Sequence, residues 1–336
     1  MIGVAVTMPE PLTAPRVHFR AATWDDLEEL NALTNRVAVA DDTDELVELE
    51  DHAEEWRRAD FDPERDVVLA VAEEGSIVGW AEAGVSSSPR DGAIRAYAGG
   101  GVAPERRAEG IGTALLAWVS ERAAAKAAAL HPGVSVVVFG WGREESSDSA
   151  QLLRSAGFAP ARYFSDMRVE FAGWAGAEAV EPLGEPGSVL IRQPGVEDEE
   201  AVRLAHNEAF EDHWGSSHQT AQRWGEMWRK RVFRPELSRI AVDAATGEVL
   251  AYVLSEVWVE GEQYVSLVGT RRAARGRRLA SVLLGGVLEA GRAAGLSKAE
   301  LGVDAASPTG ANGVYERAGF KLVRTGVTMD LPGQYS

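Results

Sequence analysis

The spacing of hydrophobic and polar positions predicts short strands that alternate with helices along the whole chain. Apolar runs bounded by turn-forming residues favour strands, whereas Leu279, Val282, Leu283 and Leu288 recur at helical spacing. In the first half we predict strands at 67–73, 76–83, 94–102, 134–139 and 163–171, with helices at 27–37, 111–129 and 149–156. In the second half we predict strands at 240–243, 249–257, 264–268, 299–303 and 320–329, with helices at 199–210, 279–294 and 310–318. This alternation is typical of an α/β protein.

The same order of motifs occurs twice. A strand that ends in Arg and leads into an acidic helix start begins at Val17 and again at Val189. An Arg-rich turn before a helix contains Arg107 and then Arg275. A late Gly-Phe pair starts at 157 and again at 319. The spacing shortens slowly from the first match to the third, as small loop deletions would make it, and three matches in one order indicate an internal duplication.

The duplication predicts two domains and a linker. Residues 171–187 are rich in Gly, Ala, Pro and Glu and show no clear period, which is typical of a linker. We therefore predict an N-terminal domain at 16–170 and a C-terminal domain at 188–331. A length of 336 residues fits two domains of ordinary size.

Composition narrows the classes of function. The net charge of −18 argues against a nucleic-acid partner and is compatible with a cationic amine substrate. The chain has no cysteine, which excludes disulfides, zinc–cysteine sites and a cysteine nucleophile. The first residues lack the basic and apolar regions of a signal peptide, and no apolar run is long enough to span a membrane. We expect a cytoplasmic protein without a membrane partner.

The turn before residue 111 has the character of an anion site. The strand ends in Gly99–Val102, and the helix begins after Arg107 and Gly110. The first N–H groups of a helix have no partners within it and lie at the positive end of its dipole. Glycine lets the backbone approach a bound anion closely.

This turn resembles the acyl-CoA motif of the GNAT (GCN5-related N-acetyltransferase) superfamily, [Q/R]-x-x-G-x-[G/A], which Arg107, Gly110 and Gly112 match. The resemblance implies two tandem domains, each with a mixed, mostly antiparallel sheet flanked by helices. It also implies acetyl-CoA as cofactor, with Val102, Ile111 and Thr113 completing this turn around its pyrophosphate. In its tandem layout the chain resembles the mycothiol synthase group, which we keep as an alternative.

The second turn departs from the motif. Arg275 and Ala280 match its first and last positions, but Arg278 replaces the central glycine, so a side chain stands where the pyrophosphate would approach. Neighbouring arginines could compensate, because guanidinium groups bind phosphate well. By resemblance, the residues that contact acyl-CoA here are Val268, Thr270, Arg275, Gly276, Arg277, Arg278, Ala280 and Ser307.

The resemblance assigns the chemistry to the C-terminal domain. Tyr315, four residues before the Gly of its Gly-Phe, stands where the family commonly has the acid that protonates the leaving thiolate. The N-terminal domain has Leu153 there. For the base that deprotonates the amine we consider Glu256, Glu260 and Glu262, and we favour Glu262. We expect Gly261 to break the extended run, which places Glu256 and Glu262 on two paired strands.

The aromatic segment between Phe210 and Trp228 also contains His213 and Trp214. We interpret it as a packing element, although a cation-binding wall for an amine stays open.

These observations predict an acetyl-CoA-dependent N-acetyltransferase that acts on the primary amine of a small molecule. The main alternative is an acyl-CoA-binding protein without turnover, because the better turn lies in the domain that lacks the tyrosine. A weaker possibility is that the N-terminal domain is the active copy.

Overall fold

One continuous sheet of twelve strands forms the centre of the molecule. The computed structural model describes residues 14, 16–43, 46–177, 180–185, 187–211, 213–307 and 310–335. The strands are β1 Val17–Ala21, β2 Val67–Ala72, β3 Ile77–Val85, β4 Ala93–Val102, β5 Ser135–Gly142, β6 Ala159–Glu170, β7 Val189–Arg192, β8 Arg239–Asp243, β9 Val249–Glu256, β10 Glu262–Thr270, β11 Lys298–Asp304 and β12 Lys321–Tyr335. The helices are α1 Leu27–Ala40, α2 Leu49–Trp56, α3 Pro63–Asp66, α4 Ile111–Leu130, α5 Asp148–Ser155, α6 Glu199–Ala209, α7 Ala221–Trp228, α8 Leu279–Ala293 and α9 Ala311–Ala318.

The predicted α/β alternation is confirmed, with most boundaries shifted by a few residues. Within the sheet the strands follow the order β1-β2-β3-β4-β5-β12-β6-β11-β10-β9-β8-β7. Only the pairs β4–β5 and β10–β11 are parallel among the described strands, so the sheet is mixed and mostly antiparallel, as expected. We call β1–β5 with β12 and α1–α5 the N-terminal half, and β6–β11 with α6–α9 the C-terminal half.

The last strands of the two repeats are exchanged. In chain order β6 ends the first repeat, yet it lies beside β11, where Val169 pairs with Ala299. β12 ends the second repeat, yet it lies beside β5, where Met329 pairs with Gly140. The exchange joins the two sheets at their centre, which the repeated motifs did not indicate.

The exchanged strands complete the core of the half that receives them. Val327 and Met329 of β12 are fully buried in the N-terminal core, and Leu331 joins them there. Met167 and Val169 of β6 are buried in the C-terminal core. Burying one such side chain stabilises the fold by roughly 1.5–3 kcal/mol. Each half therefore depends on the other for part of its core.

Helices cover both faces of the sheet. The alternation of side chains in β9 separates the two layers, because Ala251 and Val253 face α8 whereas Tyr252 and Leu254 face α6 and α7. In the N-terminal half Gly79 of β3 lies against α4 in the same manner. Among the described residues, no helix combines the length and the apolar character needed to cross a bilayer.

Ion pairs also join the halves at the ends of α2 and α7. Arg231 contacts the Asp51 carboxylate with two nitrogens, at 3.1 and 2.9 Å. Lys230 pairs with Glu55 beside it. Because these pairs are partly exposed, each contributes about 0–1 kcal/mol, less than the buried side chains of the exchanged strands.

The predicted linker follows the surface of the C-terminal half. Trp174 donates from Nε1 to the carbonyl of Ala318 at 3.0 Å, and the N–H of Leu183 donates to the carbonyl of Arg277 at 3.0 Å. Residues 178, 179 and 186 of this segment lie outside the described ones. The domain boundaries 16–170 and 188–331 stay a prediction.

Shortening Met329 should destabilise the N-terminal half, although the residue belongs to the second repeat. We expect Met329→Ala to lower the free energy of unfolding by about 2–5 kcal/mol, because it leaves a cavity in the core. Hydrogen exchange should then accelerate in β4, β5 and α4. The control is Val323→Ala, since Val323 lies on the same strand and is 47% exposed. Faster exchange confined to β9 and α8 would contradict the exchange of strands.

Candidate active site

The N-terminal turn has the backbone of an anion site. β4 ends at Val102, a short 3-10 turn spans Pro104–Arg106, and α4 begins at Ile111. Gly110 precedes the helix with φ of 83°, in the left-handed region that favours glycine. The first N–H groups of α4 therefore point out of the helix toward the end of β4.

A cleft of about 520 Å³ extends from this turn along β4. We call it the N-terminal cleft. Of the residues predicted to contact acyl-CoA, Val102, Arg107, Gly110, Gly112 and Thr113 line it. Ile111 does not, because its side chain is fully buried in the N-terminal core.

Two glycines allow side chains of the N-terminal cleft to pack closely against the backbone. A Cβ on Gly101 would lie 2.5 Å from the Trp80 ring, and a Cβ on Gly112 would lie 3.2 Å from Leu152. Both sites therefore favour the residue without a side chain, because Trp80 and Leu152, which line the cleft, occupy the space beside them.

Arg107 is held by a carboxylate in this structure. Its Nη1 and Nη2 donate to the two oxygens of Asp41 at 2.7 and 3.1 Å. Asp41 also lines the N-terminal cleft. The guanidinium thus stands at the mouth of the cleft, partly neutralised by its partner.

The C-terminal turn has the same backbone with different side chains. Arg278 precedes α8 with φ of 63°, so it adopts the left-handed conformation in which Gly110 sits. A non-glycine residue there costs roughly 1–2 kcal/mol. Arg275 donates to the carbonyl of Ala209 at 3.1 Å, and Arg277 donates to that of Leu183 at 3.2 Å. Two of the three arginines are thus engaged with carbonyl groups of the chain itself.

The other residues predicted to contact acyl-CoA in this half lie in the sheet, in the turn and at the start of α8. Val268 packs partly against the C-terminal core, and Thr270 pairs with Ala251 in the sheet. Gly276 has φ of 79° in the turn, and Ala280 lies in the first turn of α8. Ser307 is half-buried, and the two residues that follow it lie outside the described ones.

Tyr315 is buried in the C-terminal core. It is 7% exposed and meets Phe320 edge to face at 6.1 Å between ring centres. Burial raises the pKa of its phenol to about 12. The side chain therefore keeps its proton at ordinary pH and is able to donate it.

A buried Tyr–His pair lies on the face of β9 that α6 and α7 cover. Sequence reasoning did not single it out. The hydroxyl of Tyr252 is 2.7 Å from Nδ1 of His206 on α6. Burial lowers the pKa of His206 to about 4 and raises that of Tyr252 well above its usual value. Both groups are neutral at pH 7, so the pair holds α6 on the sheet without a charge. In the sequence, Tyr252 stands where the first repeat has Trp80, which marks an aromatic position but not its histidine partner.

A second cleft, of about 360 Å³, lies between the two halves. We call it the central cleft. One wall comes from residues after α1, the opposite wall from the β9–β10 hairpin, and the floor from β6, β11 and β12. The lining residues are Thr43, Leu46, Val47, Asp166, Glu256, Trp258, Val259, Glu262, Gln263, Tyr264, Glu300, Leu301 and Arg324.

Three of the four carboxylates in the central cleft have cationic partners. Lys298 lies 3.0 Å from both Glu262 and Glu300. Asp166 accepts from Arg324 at 2.7 Å. The charges of these three side chains are therefore largely neutralised.

Arg168 completes the balance of charge on the floor of the central cleft. Its Nε donates to the carboxylate of Glu300 at 2.5 Å, beside the contact from Lys298. Two cations thus meet the two carboxylates Glu262 and Glu300, and no net negative charge is left between them.

Glu256 differs from these carboxylates. It is 7% exposed and accepts a hydrogen bond from Trp258 Nε1 at 2.8 Å, with no ion-pair contact among the described residues. Burial raises its pKa, opposed in part by the positive charge of Lys230. A carboxylate with a raised pKa in a cleft is a candidate proton acceptor.

The structure places the two predicted catalytic residues in different surroundings. Glu262 lines the central cleft, whereas Tyr315 lies in the C-terminal core and does not line it. As expected from the sequence, Gly261 ends the extended run, and Glu256 and Glu262 lie on two paired strands. Glu260 lies on the exposed hairpin between them.

Two equivalent loops cross between the halves. In the first, Asn35 and Val47 exchange two hydrogen bonds of 2.9 Å between the Asn side chain and the backbone. Asn207 and Gln219 repeat both bonds at 3.1 and 2.8 Å. The two residues of each pair are equally far apart in the sequence. Asn207 and Gln219 also follow Asn35 and Val47 at the offset between the two repeats, so the loops are equivalent.

The two loops carry different side chains at their tips. Trp214 of the second loop corresponds to Asp42 of the first. The Arg95 guanidinium lies 4.6 Å from the Trp214 ring centre and 4.4 Å from that of Phe139, while it donates twice to Asp330. Trp214 thus fills the space over β4 that corresponds to the central cleft over β10.

The rest of the aromatic segment is a packing element, as interpreted from the sequence. Trp224 and Trp228 are buried with His206 in the core under α6 and α7. His213 bonds Ser216 at 2.8 Å and lies against Phe210. No wall of these aromatics faces the central cleft among the described residues.

Comparison with known proteins agrees with the duplicated layout. The acetyltransferase (GNAT) family model matches residues 24–137 and again 200–320. A GCN5-related N-acetyltransferase from Sphaerobacter thermophilus is 29% identical, with a TM-score of 0.72 over 96% of this chain and 99% of that one. A tandem GNAT protein from the clavulanic acid biosynthesis pathway is 18% identical, with a TM-score of 0.66 over 94% of this chain and 98% of that one. No curated protein matches the chain.

Removing the Arg107 side chain should weaken acetyl-CoA binding in the N-terminal cleft. We expect Arg107→Ala to raise the Kd by about 10- to 100-fold, the loss typical of a hydrogen bond to a charged group. Calorimetry on the whole chain measures it. Arg106→Ala is the matched control, because Arg106 belongs to the same turn, pairs with Glu109 and does not line the cleft. Equal losses in both variants would show a general charge effect instead.

Proposed function

We propose that this chain, which belongs to the acetyltransferase (GNAT) family, transfers the acetyl group of acetyl-CoA to the primary amine of a small molecule. In this proposal catalysis takes place in the C-terminal half. The observation that carries it is the central cleft, which opens beside the carboxylates at the start of β10 and at the end of β9. At the equivalent place in the N-terminal half, Gly84 stands for Glu256, and Trp214 covers the sheet where the first loop has Asp42.

The proposed reaction needs a base, an electrophile and an acid. Through a water molecule, Glu262 takes a proton from the ammonium group, and the free amine nitrogen attacks the carbonyl carbon of the thioester. The carbon–sulfur bond then breaks, and the thiolate receives a proton from Tyr315. The second proton of the amine nitrogen passes through solvent to the phenolate, which restores Tyr315. The products are an N-acetylated amine and CoA.

Two carboxylates of the central cleft are able to serve as base. Glu262 remains our choice from the sequence, and it lines the central cleft with Lys298 at 3.0 Å. Glu256 is the alternative, because its raised pKa brings it nearer to that of an amine. Matched Gln substitutions would distinguish them, since the true base should lose the most in kcat.

In this proposal the catalytic half binds acyl-CoA at the start of α8. In the C-terminal half the N–H groups of α8, with Arg278 and Gly276, would hold the pyrophosphate, and the end of β10 at Val268 and Thr270 would hold the pantetheine arm. The arginine at the left-handed position supplies a charge where the family motif has glycine. When bound, the cofactor supplies the activated acetyl group.

Replacing the proposed acid should slow turnover without unfolding the protein. We expect Tyr315→Phe to lower kcat by on the order of 10- to 1,000-fold. Since burial raises the pKa of Tyr315 to about 12, the phenol stays protonated, and kcat should show no loss from its titration below about pH 11. Steady-state kinetics from pH 6 to 10 measure both effects.

Tyr163→Phe is the control for this substitution, because Tyr163 is exposed on β6 and its hydroxyl bonds only Glu145 in the described structure. An unchanged kcat in Tyr315→Phe with a verified substrate would remove Tyr315 from the mechanism.

A second candidate function is acyl-CoA binding without turnover. The N-terminal cleft favours it, because this cleft has the complete motif and the larger volume but Leu153 in place of a tyrosine. Tight binding of acetyl-CoA with no acetylated product across a panel of amines would support this alternative.

Charge reversal at each turn separates the halves. If the C-terminal half is catalytic, Arg275→Glu should abolish most acetyl transfer, because it places a negative charge beside the pyrophosphate. Arg107→Glu should leave transfer at a substantial fraction of its normal rate. Loss of transfer with Arg107→Glu alone would assign catalysis to the N-terminal half.

A further inference from the structure

We infer that the acceptor is a singly charged amine with an apolar body, bound in the central cleft with its ammonium group on Glu256. The inference rests on the proposed function and deepens it, because it names the class of acceptor and the residue that receives it. It concerns binding, so its test does not depend on turnover.

One carboxylate of the central cleft is left to pair with a cation of the ligand. Cations of the protein already match the three lining carboxylates other than Glu256. Glu256 alone among the four has no ion-pair contact in the described structure. An amine with several charges would meet Lys298 and Arg324 beyond the first carboxylate and would be repelled by them.

Glu256 is also suited to a cation by its burial. Its hydrogen-bond donor is a neutral group, the indole N–H of Trp258 at 2.8 Å. A buried carboxylate without a cation is costly, and a ligand ammonium that displaces water there would be strongly favoured. Lys230 is near enough to affect its pKa, but the Lys230 ammonium is bound to Glu55.

Apolar side chains line the same cleft as this carboxylate. Leu46 and Val47 line the cleft on the side of the N-terminal half, and Trp258 and Val259 line it on the side of the hairpin. The two bonds from Asn35 fix Val47 in the loop. A compact aliphatic or aromatic body on the amine would therefore bury apolar surface against both halves.

The wall at 46–47 is provided by the half that the proposed function leaves non-catalytic. The corresponding place in the N-terminal half is filled by Trp214 over Arg95, where a cation of the protein already occupies the aromatic site. We therefore assign a single acceptor site, the central cleft, to the protein. Its specificity depends on a loop from the other half.

The test measures binding of amines to the whole chain saturated with CoA, which carries no acetyl group. Phenylethylamine is the singly charged probe with an apolar body, and spermidine is the polyamine. We expect Glu256→Gln to weaken phenylethylamine binding by about 10- to 100-fold, as for loss of a charge-assisted bond. Glu260→Gln, on the exposed hairpin beside the cleft, should leave it unchanged. Circular dichroism and the thermal midpoint verify that each variant is folded.

Unchanged phenylethylamine binding in Glu256→Gln would overturn the inference. So would an equal loss in Glu262→Gln, which would assign the ammonium to the Lys298 pair, or tighter binding of spermidine than of phenylethylamine. If phenylethylamine binds as expected but no amine is acetylated when acetyl-CoA replaces CoA, the proposed function fails while the binding site stands.

The apolar wall has a separate test. Leu46→Asn should weaken phenylethylamine binding several-fold, because it removes apolar surface from the cleft. Leu183→Asn is the control, since Leu183 is a similarly exposed leucine outside the cleft. Equal affinities in the two variants would show that the body of the amine does not contact this wall.

Discussion

The exchange of β6 and β12 is the constraint on which the rest of the molecule depends. Because each strand carries buried side chains into the other half, neither core is complete without its neighbour. The exchange also fixes the distance between the two repeats, since β6 and β12 pair with each other at the centre of the sheet. A stable arrangement of the halves is what allows a cleft to form from residues of both.

Because the two halves are related by pseudo-symmetry, equivalent positions in them can be compared directly. The loops after α1 and α6 have equivalent lengths and equivalent Asn bonds, and each reaches over the sheet of the other half. One loop has Asp42 and lines the open central cleft with Thr43, Leu46 and Val47. The other ends in Trp214, which stacks on Arg95 and fills the equivalent space. The two loops thus differ in what they place over the sheet, an open cleft in one case and a stacked tryptophan in the other.

The two helix starts differ in the opposite sense. The N-terminal turn has Gly110 and an open cleft, whereas the C-terminal turn has Arg278 in the same left-handed conformation. In the proposal, the half with the better anion site lacks the acid and the acceptor cleft, and the half with both has a turn that relies on arginine charge. The two halves are joined through their shared strands and through the ion pairs of α2 and α7.

The sequence alone determined the repeat, the order of strands and helices, and the family. These features depend on local spacing, such as the period of α8 and the Arg-x-x-Gly turn at Arg107, so they are visible in a linear pattern. It also indicated that Glu256 and Glu262 lie on paired strands, because Gly261 marks the turn between them.

Only the tertiary structure decided which strand completes which core, that Trp214 covers Arg95, and that Lys298 neutralises Glu262 but leaves Glu256. These depend on contacts between residues far apart in the chain. A duplicated sequence fits an exchanged and an unexchanged strand equally well, since both place similar apolar side chains beside β5 and β11.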